Sequence, residues 1–230
     1  MKIFNKVSME TLSRIINQNK KLIWIFYFLI LFIFSFRPNF LSKESHFKGD
    51  PLSYLAHSMT IALDWDLNYE NELHQGREIN DFLPVHPIGT GILSAPFVYI
   101  FSLIDKINKH PVINNHQKYK YSWIIVGFIF ATYVYFFLGV ILYDNSLKII
   151  FNNQNNLLLL LLICSTGILY YVLNVPVLSH SFEFFSISLL LYLSLQIIIK
   201  EKIIFQILYP IVLLINLIVR YNNLNLILLL

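Results

Sequence analysis

Four apolar runs in the second half of the chain constrain its fold more than any other feature. They contain 16 to 23 residues each with few charges, and they cover 121–143, 157–173, 184–199 and 203–219. Because a helix rises about 1.5 Å per residue, runs of this length can cross the roughly 30 Å hydrocarbon core of a bilayer. Apolar residues make up 57% of the chain and charged residues 13%, a composition that excludes an ordinary soluble protein. The runs predict an integral membrane protein.

The first third of the chain predicts the topology. Residues 1–21 carry five cations against one acidic residue, which is typical of a cytoplasmic tail. Residues 22–36 are a 15-residue apolar run that, with its flanks, serves as a first span. Eight of the thirteen acidic residues then lie between Phe40 and His86. This polar segment follows the first span, so we expect it outside the cytoplasm.

The apolar stretch 88–104 leaves the later topology open. Gly89, Gly91 and Pro96 suit a short juxtamembrane or re-entrant helix as well as a true span, and the two alternatives invert every later loop. Counting Lys and Arg on the two sides scarcely separates them. We favour a helix that does not cross, because Arg220 then lies on the same side as the acidic segment.

The predicted fold class is an all-α polytopic transmembrane helical bundle of about five spans, with an extracytoplasmic loop that carries short juxtamembrane helices. Residues 1–230 form a single membrane domain, divided into the tail 1–21, the first span 22–36, the external loop 37–120 and the remaining spans in 121–230. The net charge of +4 is concentrated in the tail and reflects topology, so no nucleic-acid partner is expected. The single cysteine, Cys164, excludes an intrachain disulfide.

The segment that carries chemistry begins at Asp50. Asp50 precedes Pro51, a pair that is typical of a helix N-cap followed by the first helical residue. Apolar residues then recur at helical spacing along one face, at Leu52, Leu55, Ala56, Met59 and Leu63. They predict a short amphipathic helix on the outer membrane surface with a carboxylate at its start. The local sequence is also consistent with Asp50 as a capping residue and nothing more.

An ordered set of motifs resembles a known family of membrane enzymes. The set runs from one membrane anchor through Gly49-Asp50-Pro51-x-x-Tyr54-Leu55, Asp64-x-Asp66-Leu67 and His86-Pro87-x-Gly89 to a string of spans, over residues 20–230. It resembles the N-terminal half of the GT-C membrane glycosyltransferases, which include protein mannosyltransferases and lipid A aminoarabinose transferases. The resemblance implies transfer of a sugar from a polyprenyl-phosphate donor.

The resemblance also implies roles for particular residues. An aspartate at the start of the first external loop is the presumed catalytic base of these enzymes, and Asp50 occupies that place. Pro51 stands where many relatives have a second acidic residue. Many members also carry an acidic residue in the second external loop, and Glu183 is the candidate for that part here.

The chemistry of inverting sugar transfer agrees with these residue types. The reaction requires a base for the acceptor hydroxyl, and positive charge or hydrogen-bond donors for the phosphate leaving group. Asp50 suits the first role, and the candidates for the second are Arg77, His86, His180 and Arg220. An arginine beside Ile218 and Val219 costs about 2.5–3.5 kcal/mol at a helix centre, so Arg220 is expected to face protein or water. The alternative is a charge that snorkels at a helix end.

The acidic loop also suits a divalent cation, although such a cluster is more commonly a solvated surface. Its candidate ligands are Asp64, Asp66, Glu70 and Glu72. No other cofactor is predicted.

The predicted partners are a polyprenyl-phosphate-linked sugar and the lipid bilayer, and the predicted location is the bacterial inner membrane with an extracytoplasmic active face. The competing class is a non-catalytic polytopic protein that translocates lipid-linked saccharides or assists assembly. The chain ends in the apolar run 224–230 with no charge after Arg220. We therefore expect an incomplete, truncated or inactive fragment that needs a C-terminal partner chain.

Overall fold

A computed structural model describes residues 50–69, 84, 86–108, 123–151 and 165–223, together with Leu29, Ile33, Leu159 and Ile163. Its helices are α1 (Asp50–Met59), α2 (Gly89–Ile107), α3 (Trp123–Phe151), α4 (Ile168–Asn174), α5 (His180–Lys200) and α6 (Ile203–Val219). A π-helical turn, Thr60–Asp64, continues α1, and a 3-10 turn, Tyr221–Asn223, follows α6. No β-strand occurs in these ranges, and the predicted all-α fold class is confirmed.

Helix α3 is the longest described helix, and its first half packs against α2. Its 29 residues correspond to about 43 Å. Phe101 of α2 lies against Trp123 at the start of α3, and the earlier residue Phe97 lies against Tyr135, about three turns further along. Earlier residues of α2 thus meet later residues of α3, and the two helices run antiparallel.

Helix α3 also packs against α5. Phe182 in the first turn of α5 lies against Phe128, with ring centroids 5.8 Å apart. The later residue Phe185 lies beside Gly139, which is further along α3. Later residues of α5 therefore meet later residues of α3, and the two helices run in the same direction.

Helices α5 and α6 form an antiparallel hairpin. Glu201 ends α5 in the left-handed region, with φ of 48°, and turns the chain towards α6. At the other end Arg220 contacts Glu183, and Asn216 donates to Ser186 one turn deeper. The outer surface of the hairpin is apolar and exposed at Ile198, Ile199, Ile203, Ile204, Ile207, Ile211 and Leu214. A continuous apolar surface of this kind suits contact with lipid.

Helix α1 packs along α2. The predicted helix that begins at Asp50 is present, and its polar residues His57 and Ser58 are buried together with its apolar residues. Its expected position on the membrane surface stays a prediction. Ser58 Oγ lies 2.5 Å from Ser94 Oγ of α2. Gly91 of α2 lies directly against His57, where a Cβ would collide with the His57 side chain.

Helix α2 begins where α6 ends. A Cβ on Gly89 would lie 2.5 Å from backbone atoms of Ile218 and Val219, so the first turn of α2 rests on the last turn of α6. Helix α2 is antiparallel to α3, α3 is parallel to α5, and α5 is antiparallel to α6, so α2 and α6 point in the same direction. Placed end to end, the two helices have a combined length of about 50 Å. Helices α1 and α2 thus form a layer beyond the end of the hairpin. We call this layer, residues 50–64 and 89–107, the cap.

Three described helices, α2, α3 and α5, are long and apolar enough to cross a membrane, and α6 is a shorter apolar helix. By the length and composition of these helices, the prediction of an integral membrane protein is confirmed. The run 203–219 coincides with α6, 184–199 lies within α5, and the helix predicted over 121–143 continues to Phe151. The tail 1–21 lies outside the described residues, as does the first span 22–36 apart from Leu29 and Ile33.

Two further apolar stretches differ from a simple span. The stretch 88–104 forms most of α2 and belongs to the cap. The run 157–173 is interrupted at Thr166 and Gly167 before α4 begins. The Thr166 hydroxyl donates to the Ile163 carbonyl oxygen at 2.9 Å, and so takes an acceptor that the continuing helix would use. Of this run, residues 157–158, 160–162 and 164 lie outside the described part of the chain.

Candidate active site

Asp50 and His86 form a carboxylate–imidazole pair at the start of the cap. Asp50 is the first residue of α1, and His86 lies three residues before α2. His86 Nε2 is 3.0 Å from Asp50 Oδ1, and the side chains are 28% and 63% exposed respectively. The ring of Tyr54, one turn after Asp50, packs on the imidazole with centroids 5.0 Å apart. The amide groups at the start of α1 favour a negative charge there.

A buried histidine holds the His86 backbone. His57 Nε2 is 2.9 Å from the His86 carbonyl oxygen, and His57 Nδ1 is 2.7 Å from the Tyr69 hydroxyl. Because a carbonyl only accepts, Nε2 donates to it and Nδ1 accepts from Tyr69, which together define one neutral tautomer. Burial lowers the pKa of His57 and favours the same neutral form.

Arg220 lies at the end of α6 and contacts two side chains from the first turn of α5. Its guanidinium donates to Glu183 Oε2 at 2.5 Å and lies 3.3 Å from His180 Nδ1. The His180 ring stacks on Tyr171 of α4 with centroids 3.7 Å apart. The Arg220 side chain is 35% exposed, so it is paired and still open to a ligand.

Tyr54 joins these two groups of residues into one site. Burial raises the pKa of Tyr54, and the negative charges of Asp50 and Glu183 raise it further. A hydrogen bond with Ser179 and the charge of Arg220 act in the opposite direction. The charges of Asp50, Glu183 and Arg220 therefore all act on the Tyr54 hydroxyl. The candidate site consists of Asp50, Tyr54, His86, His180, Glu183 and Arg220.

The structure brings together most of the residues that the sequence singled out. Asp50 pairs with His86, and Arg220 lies with His180 and Glu183. Arg77 lies outside the described residues.

Sequence reasoning missed the parts that hold the site together, namely Tyr54, His57 and Ser179. Tyr54 stands inside the quoted motif, and its spacing of four residues from Asp50 on one helical face was a signal that could have found it. The positions of His57 and Ser179 against other helices had no such local signal.

In the described part of the acidic loop, the Asp66 carboxylate is already hydrogen-bonded within the protein. Asp66 Oδ1 accepts from the Thr60 hydroxyl at 2.8 Å and from the Asn68 amide at 3.0 Å. In the described ranges no group of three or more His, Cys, Asp or Glu side chains is placed to hold a metal ion. Glu70 and Glu72 lie outside those ranges, so the divalent cation stays a prediction.

Comparisons with protein-family models, with curated proteins and with solved structures find no match to this chain.

Proposed function

We propose that this chain belongs to an inverting membrane glycosyltransferase of the GT-C type, which transfers a sugar from a polyprenyl-phosphate donor to an acceptor hydroxyl outside the cytoplasm. One observation carries the proposal: a cluster of carboxylates, imidazoles and an arginine lies at the junction between an apolar hairpin and the cap. A lipid-linked sugar has the same division between an apolar tail and a polar reacting end.

The exposed side of the hairpin supports the position of the lipid. Ile207, Ile211 and Leu214 of α6 are exposed, and α6 leads directly to Arg220. A polyprenyl chain that lies along these side chains in the bilayer presents its phosphate at the level of Arg220. The apolar contacts then supply binding energy, while Arg220 fixes the reacting end.

The phosphate role falls to Arg220, with His180 beside it. A guanidinium binds phosphate oxygens through a planar set of donors, and it stabilises the charge that the leaving phosphate gains. Glu183 holds Arg220 in position at 2.5 Å before a ligand arrives. The Asp50–His86 pair, at the other end of the site, supplies the proton acceptor. The resemblance assigns this role to Asp50.

The second candidate function is the translocation of a lipid-linked saccharide without catalysis. It is favoured by polar atoms inside α5, because Ser188 Oγ and Gln196 Oε1 are buried and have no hydrogen-bond partner among the described residues. Polar side chains in spans commonly mark a transport path. Ser188 and Gln196 are not among the candidate-site residues, so transfer chemistry explains more of the geometry of the site than transport does.

A turnover assay tests the proposed function. Wild-type protein in native membranes, where any partner chain is retained, is given a panel of polyprenyl-phosphate sugars and acceptors, and Arg220→Gln is compared with Lys200→Gln at the far end of the hairpin. We expect Arg220→Gln to lower kcat/KM by about 10²–10³, since it removes a charged donor to the leaving phosphate. Lys200→Gln should behave as wild type. Movement of the donor across liposomes without any transfer would favour the second candidate.

A further inference from the structure

The His86 ring is fixed from three directions. Its Nε2 lies 3.0 Å from Asp50 Oδ1, its face packs on Tyr54, and its backbone carbonyl accepts a hydrogen bond from His57. The third contact is itself anchored, because His57 also accepts a hydrogen bond from Tyr69. A side chain that only capped a turn would not require this support.

The contact with Asp50 selects one tautomer of the neutral ring. An ionised carboxylate only accepts hydrogen bonds, so the hydrogen lies on Nε2 of His86. The lone pair of the ring then lies on Nδ1, the nitrogen that is not in contact with Asp50. A buried or paired imidazole with one nitrogen on a carboxylate and the other available is the arrangement of a general base and its orienting acid.

We propose that His86 is the catalytic base of the transfer reaction and that Asp50 is its positioning residue. This inference rests on the proposed function and assigns the proton within it. The acceptor oxygen forms a bond to the anomeric carbon as the bond from that carbon to the phosphate oxygen breaks, and the electron pair of the broken bond leaves with polyprenyl phosphate. The hydroxyl proton moves to Nδ1 of His86, and Asp50 stabilises the resulting imidazolium.

The exposure of the Asp50 and His86 side chains supports this assignment of their roles. Asp50 is 63% exposed and can exchange hydrogen bonds with water, whereas His86 is 28% exposed and packs on an aromatic ring. A base must hold its lone pair in one direction during the transfer. His86 meets that requirement because its orientation is set by neighbours on α1 and by its own backbone.

Four variants in the turnover assay separate the two assignments. His86→Gln keeps an amide that can donate to Asp50 and removes the basic nitrogen, and we expect kcat to fall by about 10²–10⁴. Asp50→Ala should lower kcat less, because His86 keeps its basic nitrogen. Asp50→Asn should lower kcat at least as much as Asp50→Ala does. The Asn amide can donate to Nε2 of His86 and so stabilise the tautomer with its hydrogen on Nδ1. The double variant His86→Gln with Asp50→Ala should be no slower than His86→Gln alone.

The control for the acid-to-amide change is Glu201→Gln, which lies at the opposite end of the hairpin and should keep wild-type turnover. Equal thermal unfolding of all variants excludes misfolding as the cause of a loss. Turnover of His86→Gln within about threefold of wild type would overturn the inference and leave the proposed function standing. Absence of turnover in wild type with every donor would overturn the function, and the inference with it.

Nitrogen-15 NMR of the histidine rings gives a readout that a purely structural role for Asp50 would not move. The His86 signals are assigned by their loss in His86→Gln. We expect the hydrogen on Nε2 in wild type, and a shift towards the Nδ1–H tautomer in Asp50→Asn with the fold unchanged. The same tautomer in both proteins would contradict the positioning role.

Discussion

At the scale of single residues, the site depends on hydrogen bonds that specify protonation states. His57 is 5% exposed and uses both ring nitrogens, one as donor to the His86 carbonyl and one as acceptor from Tyr69. A second proton on the ring would remove the acceptor and place a charge in a buried position. The neutral form of one side chain therefore supports the Asp50–His86 pair.

This coupling predicts how stability depends on pH. The folded-state pKa of His57 is lowered by burial, so below its unfolded value of about 6.5 the unfolded chain binds a proton that the folded chain does not. The free energy of unfolding is unaffected by His57 above that pH and falls as the pH drops through the range below it, by up to about 1.4 kcal/mol per pH unit. In a series of thermal unfolding measurements in micelles from pH 8 to pH 5, we expect the His57 contribution to be constant down to about pH 6.5 and the unfolding temperature to fall below that pH.

The matched variant is His57→Gln, whose amide can donate and accept but does not titrate. Its unfolding temperature should depend less on pH over the same range, because the remaining histidines are common to both proteins. An identical pH dependence in the two proteins would show that His57 is not the group responsible.

At the scale of elements, the cap depends on a close approach between α1 and α2. Gly91 lies against the His57 side chain and backbone, and Ser58 and Ser94 share a short contact in the same interface. Small residues permit this approach, as they do where helices meet in membranes. The glycines that made 88–104 an ambiguous sequence are thus explained by packing.

Gly91→Ala tests this interface. The added Cβ would overlap His57, so we expect a loss of about 1–3 kcal/mol in the free energy of unfolding as α1 is displaced from α2. Thermal or denaturant unfolding in micelles measures the change. Gly167→Ala is the matched control, because a Cβ there would meet only the Tyr171 ring at an ordinary 3.6 Å. Equal stability of Gly91→Ala and wild type would exclude the close contact.

At the scale of the whole molecule, the order of the helices along the bundle predicts the membrane topology. The end-to-end arrangement of α2 and α6 covers about 50 Å, which exceeds the roughly 30 Å hydrocarbon core. Two helices placed end to end along the bilayer normal would not both fit within one core. Of the three candidate spans α2 is the least apolar. We therefore predict that the hairpin lies in the membrane and that the cap lies at its surface.

Cysteine labelling tests this arrangement. Single cysteines are placed at Trp65, Asn108 and Glu201, which are all exposed, in a Cys164→Ser background. We expect a membrane-impermeant thiol reagent to reach Trp65→Cys and Asn108→Cys from the same side, and Glu201→Cys only from the other. Labelling of Asn108→Cys from the Glu201 side would instead show that α2 crosses the membrane.

The sequence by itself determined the all-α membrane class, the bounds of α6 and the residue types of the site. These follow from properties that are read along one chain segment: the length of an apolar run against the thickness of a bilayer, a carboxylate before a proline, and an arginine after apolar residues. The Asp50–His86 pair, the Arg220–Glu183 pair and the burial of His57 were decided by the tertiary structure. They depend on which helices meet and at which level, and the spacing of apolar residues within one helix does not specify the register of its neighbours.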